Sequence, residues 1–76
     1  MKMEYVILYD DDCYKIIDAV SFKDCILQVA DFFGDNTELF GKALNGCTTD
    51  SDMVRMLNHF SSYEVNAVYE LSRKVY

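Results

Sequence analysis

Met3-Glu4-Tyr5-Val6-Ile7-Leu8-Tyr9-Asp10-Asp11-Asp12-Cys13-Tyr14-Lys15-Ile16-Ile17-Asp18-Ala19-Val20 decides the fold. The first seven residues are rich in β-branched and aromatic types and too short for a helix, so they read as a strand. Apolar character on both faces over Tyr5 to Tyr9 points to a central or two-sided position. Asp10-Asp11-Asp12 is a turn signal, and Cys13 to Val20 is a second run of strand type. Together they spell a β-hairpin.

Ser21-Phe22-Lys23-Asp24 matches a capping box, and Phe22, Ile26, Val29, Ala30 and Phe33 recur at helical spacing. Gly34 can take the left-handed conformation that ends this first helix. Asp35 or Asn36 can cap a short second helix through Leu39, Phe40, Ala43 and Leu44, which Asn45-Gly46 stops. Gly41 weakens its middle by about 1 kcal/mol relative to Ala. Thr49 to Asp52 repeats the cap pattern before a third helix striped by Met53, Val54, Leu57 and Phe60, ending at Ser61-Ser62. The C-terminal stretch has two readings. Val65, Ala67, Tyr69 and Leu71 alternate with Asn66, Glu70 and Ser72 as in a strand, while Val65, Val68, Tyr69, Ser72, Val75 and Tyr76 fit a helical stripe. The strand reading is preferred because a two-stranded hairpin is marginal alone. The expectation is a single α+β domain over residues 1–76, β-β-α-α-α-β, with a mostly antiparallel sheet and helices on one face.

The 76 residues sit near the lower size at which a domain folds without metals or disulfides. A hydrophobic share of 51% with six tyrosines and five phenylalanines still favours a packed core over disorder. Cys13, Cys25 and Cys47 are an odd, widely spaced set, which fits reduced thiols and at least two core positions. No apolar run approaches the roughly 20 residues that cross a bilayer, and the N-terminus is too acidic for a secretory signal. The expected location is cytoplasmic.

The net charge of −6 resides in the first 40 residues, where nine acids face only Lys2, Lys15 and Lys23. An acidic half repels nucleic acid and anionic membrane and attracts basic protein surfaces. The three adjacent aspartates lack the alternating ligands, Gly and distal Glu of a calcium loop, since Tyr14 and Lys15 occupy those offsets. His59 is the sole histidine. Its pairing with Cys25 or Cys47 would need a pocket that a chain this small has little room to build. No glycine pattern of a phosphate loop occurs. The chain therefore reads as non-enzymatic, with neither cofactor nor metal.

The leading expectation is a protein-binding module whose acidic hairpin docks on a larger protein with a basic surface. Glu4, Asp10, Asp11, Asp12 and Asp18 supply the charge, and Tyr5, Tyr9 and Tyr14 the contact area. Its sharper form is an inhibitor of phage or mobile-element type, whose carboxylates imitate phosphates in the groove of a nucleic-acid enzyme. The alternative is a structural or regulatory homo-oligomer, such as a homodimer, formed through a sheet edge or an apolar patch of Phe32 and Phe40. Phe32, Phe40 and Val68 all fall off the main stripes.

Overall fold

The computed structural model describes residues 1–71 and 73–76. In chain order it runs β1 (Met3–Tyr9), β2 (Cys13–Ala19), α1 (Phe22–Phe32), α2 (Thr37–Leu44), α3 (Asp50–Phe60), β3 (Val65–Glu70) and β4 (Arg73–Lys74). The architecture is α+β, as the residue pattern implies. One sheet has the order β2-β1-β3-β4, and every pairing is antiparallel. The second strand stops at Ala19, one residue short of the expected end, and Val20 is exposed. The C-terminal stretch is strand rather than helix, and it folds back into the two-residue β4, which the alternation did not announce. Ser72, one polar member of that alternation, lies outside the described residues.

Local chemistry explains each boundary. The Ser21 hydroxyl accepts the Asp24 N–H at 3.1 Å, and the Asp24 carboxylate accepts the Val20 N–H, so two free donors at the start of α1 are satisfied. At its other end Gly34 takes φ +84°, and the Asp35 N–H reaches back to the Ala30 carbonyl. That 6→1 bond closes the helix in a way a Cβ at residue 34 would strain. Asn36 caps α2 and Thr49 caps α3.

The register divides the strands cleanly. Tyr5 and Ile7 of β1, with Ile17 and Ala19 of β2 and Val65 and Val68 of β3, turn toward the helices and are buried. There they meet Ile26, Val29, Phe40, Leu44, Val54 and Leu57. Phe40 and Val68, off-stripe in the sequence, are both fully buried. The proposed Phe32/Phe40 patch therefore loses its second member. All three helices lie on one face, and the molecule is only 18 Å thick against 30 and 29 Å in the other directions. One helix layer on one sheet accounts for that thickness, so the opposite sheet face is uncovered.

Candidate functional site

The uncovered face carries the residues one position out of phase with the core. Across β2, β1 and β3 these form rows: Tyr14, Leu8 and Ala67, then Ile16, Val6 and Tyr69, with Lys74 of β4 beside Tyr69. Tyr14 is 65% and Ile16 52% exposed, which makes an apolar strip facing solvent. At the end of the strip remote from the hairpin turn, Glu4 and Asp18 stand directly opposite each other across β1 and β2. Both are exposed, and neither has a cationic partner among the described residues. Like charges in directly opposed positions repel, so the bare face carries an electrostatic cost that an external cation would relieve.

At the other end of β1 lies the turn. Asp10 and Asp12 take φ of +51° and +59°, a left-handed conformation that Asp tolerates better than most residues. Asp10 is a bracket as well as a charge. Its N–H donates to the Glu64 carbonyl at 2.8 Å, its carboxylate accepts the Glu64 N–H at 2.9 Å, and its carbonyl accepts from the Asn66 amide. The bracket draws Glu64 to the hairpin tip, where it lines one hollow with Asp10 and Asp11. The tip thus gains an acid from the balanced half of the sequence.

The acids do not form one continuous face. Glu4 and Asp18 are separated from the tip by roughly 20 Å of strand. Asp31 and Glu38 lie on the helical side, in α1 and α2. Asp24 is committed to its cap and to Gln28.

The three tyrosines also part company. Tyr5, expected at the partner surface, is 2% exposed and meets the Phe22 ring edge-on at 5.7 Å. Its position in β1 points it inward, and burial, with Glu70 nearby, raises its phenol above the ordinary value. Tyr9 is half-buried in an aromatic cluster with Phe32, Phe33 and Tyr63, and desolvation there raises its phenol too. Only Tyr14 presents its ring on the open face. Val6, Leu8, Ile16 and Tyr69, which complete the strip, were not singled out from the sequence. The signal lay in the strand's second apolar face, which marks either burial or a docking surface.

Cys25 is buried, and desolvation pushes its thiol up to about 12; Cys47 is half-buried and Cys13 exposed. Cys47 and His59 line one shallow hollow of about 320 Å³ with Asp52 and Arg55. There the Asp52 carboxylate is already held by Arg55 at 3.1 Å. Among the described residues no three His, Cys, Asp or Glu side chains gather as a metal-binding group. No helix of the described residues is long and apolar enough to cross a membrane.

Comparison of the chain with family models, with curated proteins and with solved structures finds no match.

Proposed function

We propose that this chain is a non-enzymatic protein-binding module that docks the open face of its sheet on a larger protein with a cation-rimmed apolar surface. The observation that carries the reading is the Glu4–Asp18 pair bordering the strip of Val6, Leu8, Tyr14, Ile16 and Tyr69. The apolar strip supplies area that gains by leaving water. The repelling carboxylates select a lysine or arginine at that border, and Asp10, Asp11, Asp12 and Glu64 steer approach from the other end.

Two acidic groups at the ends of an apolar strip suit a protein target with a greasy centre and basic margins. Blockade of a nucleic-acid enzyme's groove is the narrower version. In it the strip would cover the groove wall while the two acidic ends met residues that otherwise hold phosphates.

Affinity capture from the native host tests the proposal, with the wild-type chain and a Glu4→Gln/Asp18→Asn variant as paired baits. The expected result is a basic protein held by the wild type at low salt, released as salt rises, and weakly held by the variant. Identical retention by both baits at every salt concentration would remove the open face from the account.

A further inference from the structure

We propose that the free edge of β2 and the groove beside it take up an extended segment of a partner protein as a fifth strand. The segment would alternate lysine or arginine with β-branched apolar residues. The inference deepens the partner-binding reading by stating how the partner's backbone is held.

The two edges of the sheet are unlike. β4 is two residues long and presents Arg73 and Lys74, the short, charged form that discourages pairing. β2 is seven residues long, lacks proline, and pairs with β1 in an unbroken register, with no bulge to turn its outer side away. Gln28 donates its side-chain N–H to the Asp18 carbonyl at 2.9 Å, which shows that Asp18 directs its backbone outward. Alternate residues of a strand share that direction, so Tyr14 and Ile16 also turn their N–H and C=O groups to the free edge. Gln28 closes one end of this edge and leaves the Tyr14–Ile16 stretch open.

Below that stretch, α1 and α2 stand off from β2 and leave a groove of about 640 Å³. Its apolar lining comes from Ile17, Leu27 and Phe32, while Asp31 and Glu38 supply acids on the helical wall. Lys15 is the one cation there, and it is laid over the Phe32 ring at 4.8 Å. A strand added to β2 would send alternate side chains into this groove and onto the open face. In the groove a lysine or arginine runs its methylenes over Ile17 and Leu27 and places its charge by Asp31 and Glu38. On the open face an apolar residue lies beside Ile16 and Tyr14. A second copy of this chain is the poorer occupant. Pairing β2 with itself would bring two chains of net charge −6 together and set their Asp31 and Glu38 walls face to face.

The probe is a synthetic peptide of the length of β2, alternating Lys and Val, titrated into the labelled full chain. Pairing is read as slowed amide exchange at Tyr14 and Ile16. N-methylation of the peptide amides that face β2 should weaken binding at least about tenfold, and methylation of the alternate amides by no more than about twofold. Asp31→Asn with Glu38→Gln should weaken it by about threefold to tenfold. Protection that builds with protein concentration and no peptide, shifts confined to Val6, Leu8 and Tyr69, or no binding would each overturn the proposal. Because Glu4 takes no part in this measurement, the open-face reading and the edge reading fail separately.

Discussion

Replacing Asp18 by Asn should stabilise the free protein while weakening its hold on a partner, and the size of the first effect follows from the sheet register. Glu4 and Asp18 are directly opposed on the same face of β1 and β2. Such positions place Cβ atoms about 5 Å apart, so the two carboxylates can approach to about 6 Å. Two unit charges at about 6 Å repel by about 0.7 kcal/mol in water, and physiological salt with a Debye length of about 8 Å halves this. Asn keeps the shape and removes the charge, so the gain should be about 0.3–0.7 kcal/mol. In a domain of this size that raises Tm by about 1–6 °C. Glu4→Gln should give the same gain. The double variant should give no more than either single one, because the repulsion can be removed only once. Urea unfolding at low and high salt measures all four proteins, with the differences shrinking as salt rises. Gains that simply add, or an Asp18→Asn chain less stable than the wild type, would refute the like-charge argument and with it the reason to expect a cation at that border.

Three further outcomes follow from the geometry. Gly41 lies inside α2 without a positive φ, and a Cβ there would sit 3.8 Å from a Leu27 methyl in ordinary contact. Gly41→Ala should therefore raise the urea midpoint by the equivalent of about 1 kcal/mol, whereas Gly34→Ala, at φ +84°, should lower it by about as much. Asn58 accepts the Val65 N–H at 2.7 Å and donates to the Val65 carbonyl at 3.1 Å, so Asn58→Ala should cost about 1–3 kcal/mol and speed amide exchange at Val65; unchanged exchange would count against the staple. Burial holds the Cys25 thiol at about 12, above its ordinary 9.0, so its contribution is complete below pH 9 and is lost as pH rises toward 12. Stability should fall across that window by at most about 1.4 kcal/mol per pH unit from this group, with Tyr5 acting in the same direction and Cys25→Ala giving a shallower slope. A rise in stability over the same window would contradict the burial argument.

The hairpin, the three helices and their caps were legible because each is written locally. Ser21 and Asp24 lie within one helical turn, as do Thr49 and Asp52, and their hydrogen bonds need nothing from elsewhere in the chain. The direction in which β1 faces was not legible. Tyr5 through Tyr9 are apolar without a break, so a period of two has nothing to lock onto. Only the packing of α1 decides that Tyr5 turns in and Tyr14 turns out. Charge density along the chain also proved a poor guide to charge in space. Glu64, from the balanced half, joins the hairpin tip through hydrogen bonds to a residue 54 positions away. Asp31 and Glu38 go to the helical side instead. Gln28 and Asn58 play no part in the sequence reading, because their backbone partners are brought to them only by the fold.

β1 sits in the middle of the sheet with β2, close behind it in sequence, on one side and β3, more than fifty residues on, on the other. During synthesis β2 emerges soon after β1 and can zip to it at once, but the opposite flank of β1 waits until Val65–Glu70 has been made. Through that interval the growing polypeptide carries an unsatisfied inner ladder along β1, the kind of species that aggregates or recruits chaperones. A chain halted before Val65 would stay in that condition, so prematurely terminated copies should be cleared by proteases instead of accumulating as partly working fragments.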